Sequence, residues 1–558
     1  MKIGDSGIGV GGPGGRAVCC LFAALLLLAT GAVRGDQEAW VELVSHTHSF
    51  LFGAGNEPSY PVAISADGRY VVFYSWATNL IAGGSDTNGK ADAFVWDGDT
   101  KTVTLISHRA GNAKIAGNGA SLPVAMSSDG RYVAFMSDAT DLIGGGSDTN
   151  GGADAFLWDR VTGGVRLISH TWNSETTAAN GISLPTAMTD DGSVVTFAST
   201  ATNLENGLID TNGKADAFVW LRGNGMNIAV SLVDAPEHMT GNNKSWPVAI
   251  SPDGRYVLLM SEATDFALVD TNGVEDVFVC DRNTGLLRLI SHIPTPSGTT
   301  GNGRSIPVAM SDDGRKVLFN SLATNLVAGG VDTNGKSDAF LWWDSGEFKE
   351  VILVSHKATA GKTAGNGESL AVALSGSEDG WHVAFESTAT DLIAGGVDTN
   401  YAKDAFLWDS YPLGPGDVQL ISHADGEPLT AGNGASRPVA MRSDGGYVVL
   451  ESLATDLISG GVDVNHSEDA FLWERGTGGI RLISHVQQSP LVTGNGQSTP
   501  VAISRHGLRI AYRSNSTNLF PAFPMNGKEQ AFRYEIGLLS DGFESGRFWA
   551  WSGVFGGG

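Results

Sequence analysis

One phrase with the makings of a cation site recurs seven times along this 558-residue chain. It is typified by Asp-Thr-Asn-Gly-x-x-Asp, and its outer aspartates are always six apart. The copies are Asp86/Asn88/Asp92, Asp148/Asn150/Asp154, Asp210/Asn212/Asp216, Asp270/Asn272/Asp276, Asp332/Asn334/Asp338, Asp398/Asn400/Asp404 and Asp463/Asn465/Asp469. Oxygen donors alternating around a tight turn suit Ca²⁺, a hard ion that takes six to eight oxygens, some from backbone carbonyls and water. The same residues have a second use. Asp and Asn close turns by hydrogen-bonding their own backbone, Gly89 and its counterparts supply positive φ, and the second Asp would then anchor the strand that follows. An eighth copy carries Pro524, Asn526 and Gln530 at these places and is expected not to bind.

The spacing resembles the calcium loops of EF-hand and integrin type, but it is two residues shorter than their DxDxDG phrase and lacks a third carboxylate. Both readings, calcium site and structural turn, stay open on the sequence. Seven of the twelve histidines (His46, His108, His170, His292, His356, His423, His485) each follow a serine at the same point of the repeat. A residue used once per unit reads as architecture, hydrogen-bonded to an adjacent loop, and not as a single general base. No HExxH, CxxC or GxSxG phrase is present, which leaves no zinc or nucleophile motif to build on.

Asymmetric chemistry in a repeating chain has to come from the positions where copies differ. The residue between Ser and Pro in a recurring SxP phrase is Tyr60, Leu122, Leu184, Trp246, Ile306, Leu370 (with Ala371 in place of Pro), Arg437 and Thr499. Tyr60, Trp246 and Arg437 offer stacking and charge to a peptide or sugar, and they are the candidate ligand-binding residues. Cys280 stands where other copies have Trp, and reads as a buried substitute for an aromatic ring.

The elements that must position these residues follow from the repeat itself. An Asp-Gly turn recurs at Asp67, Asp129, Asp191, Asp253, Asp313, Asp379 and Asp444, with His506-Gly507 as the eighth, at spacings of 62, 62, 62, 60, 66, 65 and 62 residues. Each copy holds four short β-type runs. In the second, residues 123–127 meet 131–137 across Asp129-Gly130, and residues 153–159 meet 165–169 across Thr162-Gly163-Gly164. Phe156 and Trp158 are two apart, share a sheet face, and are expected to pack on the next unit. Four antiparallel strands at this period predict a β-propeller blade. Residues 41–46 match a fourth strand with no first three before it, and the eighth copy has three strands and no fourth. The sequence therefore predicts an all-β, eight-bladed β-propeller of four-stranded antiparallel blades, its ring closed by the N-terminal strand. The loops after the second and fourth strands fall on one decorated, acidic face; the opposite face keeps only minimal turns.

The phrase SxDGRYVAFxS…DxFxxD…G…LIS resembles the TolB-type, WD40-like (PD40) propeller repeat of bacterial exported proteins, over about 500 of the 558 residues. The α/β domain that precedes the propeller of TolB itself is not expected here. Residues 1–35 have the layout of a secretory signal peptide: Lys2 and Arg16, an apolar run from Ala17 to Ala29 shorter than a membrane span, then small residues. The propeller is assigned to residues 36–536 and a short tail to 537–558, where SDGFESGRFWAWSG resembles a phrase near the ends of some exported bacterial proteins. Cys19 and Cys20 lie in the signal segment, so the mature chain keeps Cys280 alone and no intrachain disulfide. With 60 acidic against 35 basic residues and a net charge of −25, nucleic acid is excluded as a partner. The expectation is an exported, periplasmic or extracellular, monomeric binding or scaffold module without a membrane span, for a protein or glycan ligand on the loop-rich face, with calcium as a stabiliser. The alternatives are a glycan lyase or hydrolase with its site at the channel mouth, or a structural envelope component.

Overall fold

In the computed structural model the described residues run from 40 to 536, apart from 149, 235–237, 268, 347, 378–379, 411–415, 507 and 524. The segments read as signal peptide and C-terminal tail lie outside them. Every regular element among the described residues is a strand, and no helix there is long and apolar enough to cross a membrane.

The strands form eight four-stranded antiparallel sheets. Blade 1 holds Ser59–Ile64, Tyr70–Ser75, Asp92–Asp97 and Thr102–Leu105, here called strands a to d from the axis outwards. Blade 2 repeats them as Ser121–Met126, Tyr132–Ser137, Asp154–Asp159 and Gly164–Leu167. Each strand a contacts the strand a of its two neighbours, and that of blade 8 contacts that of blade 1, so the ring is closed. Closure is by the N-terminal strand: Trp40–Leu43 pairs antiparallel with Gln530–Glu535 and becomes strand d of blade 8. This removes the exposed edges an open stack would leave.

Local sequence explains the blade. Strand a bulges between Pro61 and Ala63, and the same shift recurs between Pro185 and Ala187 and in the other blades. A bulge tolerates a proline, whose missing N–H would otherwise break the ladder. The Asp-Gly turn needs Gly130 at φ 67°, and a side chain there would run into the ring of Tyr70 on the preceding blade.

Between blades the core is aromatic on one side and small on the other. Phe156 and Trp158 pack with Phe135 against Val72, Ala93, Val95 and Ile106 of blade 1. Phe218 and Trp220 pack in the same way on Ala134, Ala155 and Leu157 of blade 2. The Phe/Trp face therefore meets the preceding blade and not the next one as expected. Spacing of two places both rings on one face, but which face meets which neighbour depends on the hand of the blade's twist. Cys280 is 3% exposed among Val219, Phe278 and Leu289, and burial pushes its thiol up to about 12, so it stays protonated and fills space.

Two-stranded ribbons were not anticipated. His46–Thr47 pairs with Phe50–Ala54, and His170–Thr171 with Ser174–Ala178, in the segment between strand d and the next strand a. They thicken the decorated face.

Candidate functional site: the loop-rich mouth of the ring

Most of the repeated polar residues on the decorated face are engaged in holding loops together. In blade 1, Asp86 Oδ1 accepts the Asn88 backbone N–H at 3.1 Å, and Asn88 Oδ1 accepts that of Lys90 at 2.5 Å. Asn88 Nδ2 donates to Gly117 O at 2.6 Å, which ties the loop to the segment entering blade 2. The Asp-to-Asn turn recurs at Asp148, Asp210, Asp270, Asp332, Asp398 and Asp463. The Asn-Gly phrase before each strand a is used similarly: Asn118 donates to Thr140 Oγ1 at 2.9 Å and accepts the Thr140 N–H at 2.8 Å.

The asparagine oxygens expected to face calcium each close a turn. As in Asn88, the Oδ1 of Asn150, Asn212, Asn272, Asn334, Asn400 and Asn465 each accepts the backbone N–H two residues on, at 2.5 to 2.8 Å. Their Nδ2 groups donate to Ala179 O, Gly241 O, Gly301 O, Gly365 O, Gly432 O and Gly494 O respectively, at 2.5 to 2.8 Å. The physical reason is local. An Asx turn closes on the side-chain oxygen, so the amide N–H₂ is the end left to face inward, and a donor there repels a cation. Asparagine thus ties one blade's loop to the segment entering the next.

The second aspartate of each phrase is buried at the start of strand c. Asp92 Oδ1 accepts from Ser107 Oγ at 3.0 Å and Oδ2 from Asn88 Nδ2 at 3.4 Å. Burial, opposed by the Ser107 hydrogen bond and reinforced by the charge of Asp86, pushes Asp92 up to about 7. Asp154, Asp216, Asp276, Asp338, Asp404 and Asp469 are all pushed up to about 7, with burial as the largest cause. Blade 8 has Gln530 in this place. Its Oε1 accepts from Ser45 Oγ at 2.7 Å, so a neutral carboxamide takes the bond that a carboxyl takes elsewhere.

A void of about 20 Å³, the size of one water or one ion, lies against Asp86 and Asp92, and its counterparts against Asp148 and Asp154 and against Asp463 and Asp469. Two aspartates per loop line each of these voids. Among the described residues no group of three or more His, Cys, Asp or Glu comes together.

Three of the repeated histidines tie neighbouring blades together. His170 Nδ1 meets Thr171 O at 2.8 Å and Nε2 meets Gly225 O at 2.7 Å, and His108 and His423 reach Gly163 O and Gly478 O in the same way. Burial lowers His46, His292 and His485 and keeps these rings neutral.

With the repeated residues engaged, the mouth is defined by eight cross-strand pairs, one per blade: Tyr60/Tyr74, Leu122/Met136, Leu184/Ala198, Trp246/Met260, Ile306/Asn320, Leu370/Glu386, Arg437/Glu451 and Thr499/Arg513. They break the eightfold repeat into two arcs. Blades 1 to 4 present aromatic and aliphatic pairs, and blades 6 to 8 carry the ionised ones. Blade 5 is the transition: Asn320 Oδ1 accepts the Ala371 N–H at 2.7 Å, a donor that exists because Ala371 replaces the usual proline.

Of the three expected ligand residues, Tyr60, Trp246 and Arg437 sit on blades 1, 4 and 7, and no hydrogen bond or ring contact joins them. Arg437 is ion-paired to Glu451, which is 5% exposed. Tyr60 instead belongs to a cluster. Its ring stacks on Tyr74 at 5.2 Å and meets Trp76 edge-on at 5.8 Å, and Tyr74 meets Trp76 at 5.5 Å. The Arg513 guanidinium from blade 8 lies 5.3 Å from the Tyr60 centroid. Tyr74, Trp76 and Arg513 lie at the end of strand b, where the copies also differ from blade to blade, and that variation is their signal in the sequence.

The opposite end of the ring is spanned. Arg505 of blade 8 reaches Asp190 of blade 3 at 2.6 Å and Asp312 of blade 5 at 2.8 Å, the blades that flank the one facing it. Ala66, Ser128 and Asp190 are linked there by successive backbone hydrogen bonds, and His506 N–H donates to Ala66 O. The loop-rich mouth is thus the open end.

No protein-family model matches the chain, and no curated protein matches it. Solved structures that resemble it include a prolyl endopeptidase, at 11% identity and TM-score 0.41 over 85% of this chain and 55% of that one. Others are a protein named as TolB from Agrobacterium tumefaciens, at 16% identity and TM-score 0.28 over 57% of this chain and 89% of that one, and a Kuenenia stuttgartiensis hydrazine synthase, at 10% identity and TM-score 0.28 over 90% and 98%. The chain spans about half the length of the prolyl endopeptidase.

Proposed function

We propose that this protein is an exported binding module, periplasmic or extracellular, that engages a protein or glycan partner at the loop-rich mouth of its propeller. The observation that carries this reading is the broken symmetry of the eight mouth pairs. Seven loops of one design hold the rim, while the residues pointing past them differ from blade to blade, as recognition of one ligand requires. Exposed aromatic rings beside charged side chains are what a binding surface uses for area and orientation. The test is an array of glycans and peptides probed with the mature chain. Trp76→Ala and Arg513→Ala should abolish the spots that bind, and Val161→Ala, on the opposite face and 66% exposed, should leave them unchanged. An array that responds equally to all three variants refutes the reading.

Calcium enters this proposal as a stabiliser of the rim. A cation in the void beside Asp92 would take the carboxylates of Asp86 and Asp92 and neighbouring backbone carbonyls, and would neutralise a buried charge pair seven times over. It competes there with a proton on Asp92 and with the inward N–H₂ of Asn88. A thermal melt in chelator, then across a calcium titration, separates the two: a ligand that binds only the folded chain at a hundredfold excess over Kd adds about 2.7 kcal/mol per site. A melt unmoved by calcium leaves the loops as turns.

A further inference from the structure

At the seam where blade 8 closes on blade 1, two opposite charges stand side by side without pairing. Arg513 has its Nε buried without a hydrogen-bond partner, and its guanidinium makes no ion pair among the described residues. Glu529, next to the start of strand c of blade 8, has its Oε2 buried and equally unpartnered. Arg513 pairs across the sheet with Ala531, and Glu529 is two residues from Ala531, which puts the two on one sheet face as diagonal neighbours. Elsewhere around the mouth the ionised side chains find each other: Arg437 with Glu451, Lys403 with Glu386, Lys244 with Glu262 and Arg304 with Glu275. A buried polar group left unbonded is costly, so an unmatched donor and an unmatched acceptor together are poised for something else.

Beside them lies the aromatic corner. Tyr60 and Tyr74 are nearly parallel at 16°, and Trp76 stands at 81° and 71° to them with 38% of its surface exposed. A ligand for this place needs an apolar face to lie on a ring and, at its edge, groups that donate and accept at short spacing. A carboxylate would be repelled by Glu529 and an ammonium by Arg513. Vicinal hydroxyls on a pyranose satisfy both, donating to the carboxylate and accepting from the guanidinium, while the axial C–H face covers the indole.

We propose that Tyr60, Tyr74, Trp76, Arg513 and Glu529 form a subsite for one neutral pyranose ring of a glycan. Because Arg505 spans the far end of the ring, the ligand arrives and leaves by the loop-rich mouth. The sugar that occupies the seam is one reached from that side, and a polymer threaded along the axis is excluded. This inference rests on the binding-module reading above and narrows its ligand from protein or glycan to glycan.

The experiment is saturation-transfer NMR on the mature chain with methyl glycosides of glucose, galactose and mannose at millimolar concentration. Transfer is expected on the ring C–H face for one configuration over its epimers, since a hydroxyl moved from equatorial to axial loses Arg513 or Glu529. Glu529→Gln keeps the shape and Arg513→Met keeps the stem; each should weaken binding by about tenfold or more and flatten the epimer preference. Trp76→Ala should remove the transfer, and an unchanged melt and circular dichroism spectrum show that each variant is folded. Silence from all three glycosides, or transfer that survives Glu529→Gln and Arg513→Met, overturns the sugar subsite. If glycosides are silent while a peptide array binds and loses its signal in Trp76→Ala, the sugar inference falls and the binding module stands. If neither ligand class binds, both fall.

Discussion

Seven buried carboxyls that titrate near neutrality should make the chelated protein less stable as pH rises through the physiological range. The perturbation is pH, and the groups are Asp92, Asp154, Asp216, Asp276, Asp338, Asp404 and Asp469, each pushed up from 3.8 to about 7 by burial. A raised folded pKa means that the folded state binds the proton more tightly than the unfolded chain. Stability from this source is complete below about pH 4 and is lost as pH rises towards and through 7. Each group contributes a slope of up to about 1.4 kcal/mol per pH unit in that window, and a pKa difference of about three corresponds to about 4 kcal/mol per carboxyl. Seven such groups could not each exact the full amount from a protein of ordinary stability, so local relaxation must absorb part of it. The substitution Asp92→Asn isolates one group and separates it from the general repulsion of an acidic surface. It should stabilise the protein at pH 8 relative to its effect at pH 5 by up to about 2.6 kcal/mol, the part of the shift that falls between those two pH values. The assay is urea unfolding of wild type and variant at pH 5, 6, 7 and 8 in chelator. An Asp92→Asn effect that is the same at every pH, or a wild-type midpoint that rises from pH 5 to 8, would refute the reasoning. In calcium the sign should invert if the ion is held, because a bound cation needs the deprotonated pair.

Three further outcomes follow from the packing. Trp96, fully buried between blades 8 and 1, should cost about 3–5 kcal/mol when replaced by Ala in a denaturant titration, and a loss under about 1 kcal/mol would mean the seam is looser than described. Arg505→Glu sets three carboxylates together across the closed end and should lower the melting temperature at low salt, with the difference shrinking as salt rises, since the partners are 46% and 68% exposed; a salt-independent effect would show that packing and not charge is at stake. Cys280 should resist a thiol reagent until the protein is unfolded, and rapid labelling of the native protein would contradict its burial.

The blade was legible because its signals are local. Asp129-Gly130 fixes a hairpin, the alternation in residues 131–137 fixes a face, and repetition at about 62 residues multiplies both. The closure was legible because residues 41–46 are a strand with no blade of their own, and Trp40–Leu43 does complete blade 8. What escaped were relations between blades. Tyr74 and Trp76 are unremarked in sequence until Arg513, more than 430 residues later, is brought over Tyr60 by ring closure. Arg505 looks like a turn residue until Asp190 and Asp312 are seen across the axis. That the asparagines of the repeated loops tie one blade to the next is likewise invisible until Ala179 O, Gly241 O and their counterparts are seen to take the amide N–H₂.

By itself, then, the sequence determined the period, the four-strand unit, the number of units and the way the ring shuts, because each of these depends on residues a few positions apart or on copies of one pattern. Only the tertiary structure decided which neighbour the Phe/Trp face meets, how far Asp92 is buried, which end of the ring is spanned, and which charges at the mouth are left unpaired. Those outcomes depend on the sum of eight small rotations around an axis and on distances between residues hundreds of positions apart. No local pattern encodes such a sum.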